Sequence, residues 1–465
     1  MHKVINTIFF KLPILLQNGL ISLYGYYWKN RRLGKVFKNE IKFWKDRENF
    51  TKEDWKLHQT KGLRALLIHA FTTVPFYREL YSEKGFTLKD FENFELTDLH
   101  KLPYLEKEAL RKYGDTTLLS EKKKKGKFYS SSGSTGTPVK IFITKEFHQK
   151  WNAAYEVRVR NWAGVNYRMA RGMIGGRKVV KNATSKAPFY RYNLAEKQTY
   201  FSAYHISDKN LLNYYNAINK NKIDYMVGYA MSNYFLADLI VKRKLPPLNL
   251  KAVLTSSEKL TTEMRETFQK AYNCKTFDAY SGVEACGLIS ENLDGDFLLS
   301  PDTGIMELID KNGNQVNFGE EGEIISTGLL NFDQPLIRYR IGDKAKLSKN
   351  QQTKSGLEMP KFDEISGRVE DTVTTKDGKK IVRFHSLFID IDGLLAAQVI
   401  QEKIDCFRIN LITTSSFNKK DETEIEKKIK NQLGNIQLIF EYLDQIPKNK
   451  NGKFQAVISK INFNE

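Results

Sequence analysis

The stretch Tyr129–Lys140, which has the sequence YSSSGSTGTPVK, decides how the rest of this 465-residue chain is organised. Every residue from Ser130 to Thr137 is serine, threonine or glycine. Glycines let the backbone turn its N–H groups towards one point, and neighbouring hydroxyls add donors, so such a segment can surround a phosphate. The flanking runs Lys127–Tyr129 and Val139–Ile143 are typical of short strands, which predicts a strand–loop–strand unit.

The glycine spacing excludes a Walker-type phosphate loop. Gly133 and Gly136 are separated by two residues rather than four, and Lys140 is followed by Ile141 rather than by serine or threonine. On composition alone, the alternative to a phosphate-binding loop is a flexible Ser/Gly linker.

Composition indicates a folded protein of two or more domains, because 41% of the residues are hydrophobic and 12% are aromatic. Cys274, Cys286 and Cys406 form no CxxC pair, which suits a reducing compartment and predicts no structural zinc. The net charge of +20 indicates an anionic partner, such as a nucleotide, a coenzyme, an acidic sugar or a membrane surface. Nucleic acid is not expected, since no basic region is interleaved with aromatic residues in a recognisable module.

The N-terminal segment, residues 4–28, is apolar but is interrupted by Lys11, Pro13, Gln17 and Asn18. This pattern predicts neither a membrane-spanning helix nor a cleavable signal peptide, and a cytoplasmic protein is expected. Residues 1–50 carry ten basic against three acidic side chains. Two alternatives are open: a segment that lies on the anionic inner face of the membrane, or an arm packed on the protein itself or on a second subunit of a homodimer.

Helical and strand patterns alternate along the chain. A helix is predicted at Thr51–Thr73, followed by mainly helical sequence to residue 125. Further elements are predicted at Glu146–Trp162, Ala170–Gly176, Leu211–Lys220, Asp224–Gly228, Ser232–Arg243, Leu250–Ser257, Thr262–Ala271 and Lys275–Tyr280. This alternation predicts a wound α/β sheet, and Gly295–Leu347 is β-rich.

Two domains are predicted, both of mixed α/β class. The large N-terminal domain covers residues 1–366, of which 1–125 form a mainly helical arm, and it combines wound sheets with a β-rich part. Residues 367–465 form a small, mobile C-terminal α/β domain. Its predicted elements are strands at Lys380–Phe384, Phe407–Ile412 and Gln437–Tyr442 and a helix at Glu422–Leu433.

Ligands on wound sheets collect at the carboxyl ends of strands. The segments Thr255–Glu258 and Tyr280–Glu284 fall at such ends, so both are candidate binding segments. An aromatic residue at a strand end is also a common core residue, so Tyr280 alone would not define a site.

Five motifs occur in an order that resembles one known superfamily. They are SSSGSTGTPVK, the segment Tyr280–Glu284, RYRIGD at Arg338–Asp343, GRVED at Gly367–Asp371 and PKNKNGK at Pro447–Lys453. The order and spacing resemble the adenylate-forming acyl-ligase superfamily. The chain is most similar to its phenylacetate-coenzyme A ligase-like branch, and within that branch to CapK-type proteins of surface-polysaccharide synthesis.

The resemblance implies a two-step reaction. A small carboxylic acid attacks the α-phosphate of Mg·ATP, giving an acyl-adenylate and pyrophosphate, and a thiol such as that of coenzyme A, or an amine, then takes the acyl group. The segment after the hinge, Asp371–Ser386, is nearer to the CapK-type pattern than to that of coenzyme A ligases, so the acceptor stays open between the thiol and the amine.

The same resemblance implies roles for individual residues. Pyrophosphate would be held by Ser131, Ser132, Gly133, Ser134, Thr135, Gly136, Thr137 and Lys140. Adenine would lie against Tyr280 and Ser281, beside the backbone of Ser256, Ser257 and Glu258. Asp343 would accept hydrogen bonds from the ribose hydroxyls, supported by Arg340, and Arg368 would lie near the nucleotide at the domain junction.

Three further residues are implied to carry the chemistry. Lys453 would bridge the acyl carboxylate and the α-phosphate, where negative charge accumulates in the transition state. Glu284 would bind Mg²⁺. Glu370 lies at the hinge position about which the small domain rotates. The alternatives are an exposed lysine in a turn for Lys453 and a surface ion pair for Glu370.

The chain departs from the superfamily pattern at Ser281 and Val283, where glycine and threonine are frequent, and the lost threonine hydroxyl removes one phosphate donor. Three hypotheses follow: an acyl-adenylating ligase, a catalytically idle nucleotide-binding or scaffold protein of the same fold, and a membrane-peripheral partner in glycan assembly. The acyl pocket is expected within residues 200–285, with Tyr204, His205, Tyr229 and Met231 as its candidates.

Overall fold

Helices form the first part of the chain. The computed structural model describes residues 8–130, 139–181, 185–256, 258, 260–366, 373–376, 380–381, 384–388, 391, 393–444, 446 and 456–461. The helices before the first strand are α1 (Ile14–Arg32), α2 (Lys35–Asp46), α3 (Lys52–Thr73), α4 (Pro75–Glu83), α5 (Leu88–Glu92) and α6 (Lys107–Tyr113). The predicted helix at Thr51–Thr73 is confirmed: a capping box between Thr51 and Asp54 starts α3, and Pro75 occupies the first turn of α4, where its missing N–H costs nothing.

A hairpin and a large sheet follow. The hairpin pairs β1 (Gly126–Ser130) with β2 (Lys140–Thr144), as the sequence predicted on either side of the Ser/Gly stretch. The next elements are α7 (Lys145–Tyr155), β3 (Arg171–Gly175), β4 (Tyr190–Asn193), β5 (Gln198–Ser202), α8 (Leu211–Lys220), β6 (Tyr225–Tyr229), α9 (Ala230–Lys242), β7 (Ala252–Ser256), α10 (Thr262–Tyr272), β8 (Thr276–Tyr280), β9 (Ile289–Glu291) and β10 (Phe297–Leu299).

The large sheet has the strand order β10-β9-β8-β7-β6-β3-β5-β4. Strands β5, β3, β6, β7 and β8 are parallel, and the strands at both edges are antiparallel. One apolar cluster contains Tyr214 of α8 and Phe268 of α10, and a second contains Trp44 of α2 and Ala153 of α7. Helices therefore pack on the parallel strands, which confirms the predicted wound α/β sheet.

Two smaller sheets complete the described fold. The β-rich part is a four-stranded antiparallel sheet of β11 (Gly304–Ile309), β12 (Glu321–Gly328), β13 (Tyr339–Leu347) and β14 (Phe362–Ser366). The C-terminal part contains β15 (Val373–Thr374), β16 (Lys380–Ile381), α11 (His385–Phe388), β17 (Leu394–Lys403), β18 (Cys406–Thr413), α12 (Lys419–Leu433), β19 (Gln437–Tyr442) and β20 (Val457–Ser459). Its main sheet has the order β19-β18-β17-β20, and Ile425 and Ile429 of α12 belong to its apolar cluster.

Helix α1 covers the edge strand β4 with polar side chains. Asn18 accepts a hydrogen bond from the backbone N–H of Tyr192 at 3.0 Å, and Ser22 accepts one from the N–H of Leu194 at 3.0 Å. These contacts satisfy N–H groups that an open sheet edge would present to solvent. Within the described ranges, no helix is both long and apolar enough to cross a membrane.

Candidate functional site

The carboxyl ends of three parallel strands meet at one edge of the large sheet. Tyr229 at the end of β6 pairs with Ser256 at the end of β7, and Ser256 pairs with Ala279 on β8. Tyr280 follows Ala279 directly. The structure therefore places three of the predicted site residues side by side at the edge where ligands of such sheets bind.

Tyr280 joins this edge to the β-rich sheet. Its hydroxyl donates a hydrogen bond to Oδ2 of Asp343 on β13, with 2.9 Å between the oxygens. Burial, followed by the adjacent Asp343 carboxylate, raises the pKa of the Tyr280 hydroxyl well above its ordinary value, so the phenol stays protonated and remains a donor. Two residues that are 63 positions apart are thus brought into contact.

Glu284 lies in the same cluster. Its negative charge also contributes to the raised pKa of Tyr280, less than burial and Asp343 do. The Glu284 carboxylate lies close to Gly282, where a side chain in place of glycine would have to displace it. Ser281 forms a hydrogen bond to the carbonyl of Gly282 at 3.3 Å.

Gly176, which the sequence patterns did not single out, separates two of the predicted acyl-pocket residues. The hydroxyl of Tyr204 donates to the Gly176 carbonyl at 3.5 Å, and a Cβ on Gly176 would lie 2.8 Å from the Tyr229 hydroxyl. Both tyrosine hydroxyls therefore converge on this glycine beyond the end of β3. The adjacent GG pair in the sequence was the available signal for a close approach of side chains.

The remaining acyl-pocket candidates differ in their surroundings. The backbone N–H of Met231 donates to Oε2 of Glu258 at 2.8 Å, which joins the start of α9 to the segment after β7. His205 is buried: its Nδ1 is 2.8 Å from the Ser202 hydroxyl, and its ring stacks on Phe189 with centroids 4.8 Å apart. These contacts give His205 a role in the core behind the strand ends.

The hairpin that carries the Ser/Gly stretch is anchored to the segment before RYRIGD. Asp333 accepts hydrogen bonds from the N–H of Lys124 at 2.7 Å and from the Thr144 hydroxyl at 3.0 Å. The buried Gln334 accepts a hydrogen bond from the N–H of Phe142 at 2.7 Å. Asp333 and Gln334 are thus positioning residues that the sequence patterns missed, although their place a few residues before the RYRIGD segment was a signal.

Two predicted cations are held by carboxylates. Lys140 is exposed, with Nζ 3.8 Å from Oδ2 of Asp115. The guanidinium of Arg340 pairs with Glu323 at 3.1 Å and with Glu106 at 3.2 Å, and these partners hold it along β12 and β13. The residues Ser131, Ser132, Gly133, Ser134, Thr135, Gly136, Thr137, Ser257, Arg368, Glu370 and Lys453 lie outside the described part of the chain.

Asp278, two residues before Tyr280 on β8, is expected to make stability pH-dependent. Burial raises the pKa of its carboxyl to about 6. Between about pH 4 and pH 6 the unfolded chain releases this proton while the folded protein keeps it, so stability falls as the pH rises through that window. Because the side chain is partly exposed, we expect Asp278→Asn to increase the free energy of unfolding at pH 8 by only about 1 kcal/mol.

The measurement is urea denaturation of both proteins at pH 4 and pH 8. The gain from Asp278→Asn should be larger at pH 8, and the exposed Asp294→Asn controls for the loss of one negative charge. An equal gain at both pH values would contradict the raised pKa.

The chain is similar to several known proteins in sequence and in fold. The CapK C-terminal domain family matches residues 373–460. CapK of Staphylococcus aureus is 28% identical to this chain, with 98% of the chain and all of CapK covered. Phenylacetate-coenzyme A ligase of Pseudomonas putida is 26% identical over 68% of the chain and 70% of that enzyme. The structure of 2-hydroxyisobutyryl-CoA ligase in complex with 2-HIB-AMP and CoA has a TM-score of 0.56 at 17% identity, covering 89% of this chain and 92% of the ligase.

These findings define the class first: the fold is that of the acyl-CoA ligases, and the chain is similar to phenylacetate-coenzyme A ligases over about two thirds of its length. The chain is also homologous to CapK over its full length, and its C-terminal part matches the CapK C-terminal domain. The resemblance drawn from the five motifs is confirmed at this level.

Proposed function

We propose that this protein uses ATP to activate a small carboxylic acid as its acyl-adenylate, releases pyrophosphate, and transfers the acyl group to a thiol or an amine. The observation that carries the proposal is the hydrogen bond between Tyr280 and Asp343 beside Glu284, at the strand ends of an acyl-ligase fold. It is supported by the homology to phenylacetate-coenzyme A ligases.

The proposed reaction has two balanced steps. A carboxylate oxygen of the acid forms a bond to the α-phosphorus of ATP, and the bond from that phosphorus to the β-phosphate oxygen breaks, releasing pyrophosphate. The sulfur of coenzyme A, or the nitrogen of an amine, then attacks the acyl carbonyl carbon. AMP leaves with the electron pair of the broken C–O bond, and the acceptor loses its proton to solvent.

Charge and hydrogen bonding support a nucleotide site at the cluster described above. The Tyr280 ring offers an apolar face for adenine, and the Asp343 carboxylate can accept two ribose O–H groups. The Ser/Gly stretch between β1 and β2, with Lys140, would hold the β- and γ-phosphates as they leave. Arg368 and Glu370 would lie at the boundary between domains 1–366 and 367–465, and Lys453 would approach the α-phosphate.

Magnesium fits Glu284. Mg²⁺ commonly takes one or two carboxylates and completes its six ligands with phosphate oxygens and water. No group of three or more His, Cys, Asp or Glu side chains able to hold a metal occurs among the residues that the structure describes. When bound with ATP, the ion would neutralise charge on the phosphates.

The acid would bind beside the Gly176 carbonyl, between Tyr204 and Tyr229, with Met231 nearby. Two phenol hydroxyls next to a backbone carbonyl suit an acid that carries a polar group as well as its carboxylate. The likeness to CapK suggests a place in surface-polysaccharide biosynthesis, with an amino sugar as the amine alternative to coenzyme A. We propose that the protein acts in the cytoplasm.

The test is carboxylate-dependent pyrophosphate release with a panel of acids, followed by mass spectrometry of the products formed with coenzyme A and with amines. Release that requires one class of acid supports the proposal. Calorimetric binding of ATP without acid-dependent pyrophosphate release would instead favour an idle nucleotide-binding protein, for which Ser281 and Val283 are the sequence support.

A further inference from the structure

Helix α1 is amphipathic with its polar side turned inward. The side chains of Gln17, Asn18 and Ser22 contact the strand β4 region, and Lys29 donates to the Ala195 carbonyl at 2.9 Å. Arg32 pairs with the buried Glu196. The usual arrangement of a surface helix, with apolar residues towards the core, is therefore reversed.

The outer side of α1 is apolar. Its exposed residues include Leu15, Leu16, Leu20 and Leu23, and three tyrosines, Tyr24, Tyr26 and Tyr27, occupy the end nearest α2. Leu15 and Leu23 are 82% and 72% exposed, as fully as charged surface residues usually are. Leucines followed by a group of tyrosines are typical of a helix that lies at a membrane interface, where the phenol hydroxyls reach the headgroups.

Cations occur close to α1 on the next helix in the sequence and on the neighbouring hairpin. Exposed Lys35, Lys38, Lys42 and Lys45 follow on α2, which carries only Glu40 and Asp46 as acidic residues. From the hairpin, Nζ of Lys127 lies 5.8 Å from the centre of the Tyr27 ring. The surrounding charge is thus complementary to anionic headgroups, which attract clustered lysines close to a membrane surface.

From this reversed helix, the lysine that contacts it and the exposed lysines of the next helix, we propose that α1 docks the protein on an anionic lipid surface, lying in the plane of the interface with its leucines in the acyl boundary. The tyrosines and the lysines of α2 and β1 contact the headgroups. Trp28 of α1 contacts Tyr129 of β1 with ring centroids 6.3 Å apart, so the docked face adjoins the hairpin that carries the Ser/Gly stretch. The proposal does not depend on the acyl-activation chemistry.

The test is cosedimentation of the full-length protein with vesicles of phosphatidylcholine alone or with added phosphatidylglycerol. We expect binding only to the anionic vesicles, weakened by salt. The double variant Leu20→Glu/Leu23→Glu should bind at least about tenfold more weakly, since it places two charges in the apolar boundary. Leu57→Glu/Leu212→Glu, which replaces two exposed helical leucines elsewhere, should bind as the wild type does.

Point variants are preferable to deletion of α1, because deletion would expose the edge of β4. Absence of wild-type binding to anionic vesicles at low salt would overturn the proposal, as would unchanged binding by the Leu20/Leu23 variant. Sedimentation velocity tests whether a second copy of the chain binds this face instead of a membrane. If the wild type is a dimer, does not bind vesicles, and is dissociated by the Leu20/Leu23 variant, the face is a subunit interface. Pyrophosphate release from dissolved substrates should be equal in all these proteins.

Discussion

Replacing Asp343 with alanine should lower kcat/KM for ATP by about 30- to 1000-fold, mainly through KM. A hydrogen bond to a charged group contributes about 1.5–3 kcal/mol, and the proposed ribose contact contains two such bonds. Because water replaces part of this interaction in the variant, we expect a net loss of about 2–4 kcal/mol in transition-state binding. Asp343 is also the acceptor of the Tyr280 hydroxyl. Its removal therefore disturbs the adenine side of the site as well as the ribose side.

Matched variants separate ribose recognition from a structural defect. Asp363→Ala removes an exposed carboxylate from the neighbouring strand β14 and should leave kcat/KM unchanged. Tyr280→Phe keeps the ring but removes the hydroxyl, so an effect of less than about tenfold is expected. Initial-rate kinetics over a range of ATP concentrations provide the values. A folded Asp343→Ala protein whose kcat/KM stays within about threefold of the wild type would show that Asp343 does not bind the ribose. Such a change corresponds to much less free energy than one hydrogen bond to a charged group.

The regular elements of the fold were predictable because their patterns are local. Leu211–Lys220 was predicted and observed with the same bounds, since its apolar residues recur at helical spacing. The edge strand β4 and its neighbour β5 were missed. Their sequences, YRYN and QTYFS, show no strong alternation, and β4 is completed by polar contacts from a helix about 170 residues earlier in the chain.

Helix α1 shows a different limit of sequence reasoning. Gln17 and Asn18 interrupt an apolar run, which argued against a spanning helix, yet nothing local indicates that these polar residues face inward. The observed packing on β4 agrees with the predicted arm on the protein itself, but only for the polar side. The leucines on the other side of α1 are exposed, and experiment must decide whether a membrane or a second subunit covers them.

Part of the site was also predictable from local sequence patterns. Alternating strands and helices place Tyr229, Ser256 and Tyr280 at one sheet edge, because carboxyl ends of parallel strands coincide. Asp343 comes from another sheet, and no periodicity connects it to Tyr280; only the order of the five motifs suggested a shared site. Gly176 and Gln334 escaped notice because their roles depend on side chains that are distant in sequence.

Replacement of Lys453 by alanine should lower the rate of adenylation by about 100- to 1000-fold, with little change in ATP affinity. The reason is electrostatic: negative charge accumulates between the acyl carboxylate and the α-phosphate only in the transition state, and a cation positioned there stabilises that state more than bound ATP. Acid-dependent pyrophosphate release gives the rate, and equilibrium binding gives the affinity for ATP.

The segment PKNKNGK supplies its own controls, because Lys448 and Lys450 lie within five residues of Lys453. Lys448→Ala and Lys450→Ala remove the same charge and should keep most of the activity if position, rather than local positive charge, matters. Rotation of the small domain about Glu370 would withdraw Lys453 before acyl transfer. The Lys453→Ala protein should therefore still consume a chemically prepared acyl-adenylate in the presence of acceptor. Pyrophosphate release at the wild-type rate with the true acid would remove Lys453 from the mechanism, whereas equal losses in all three lysine variants would show that the segment acts only through its net charge.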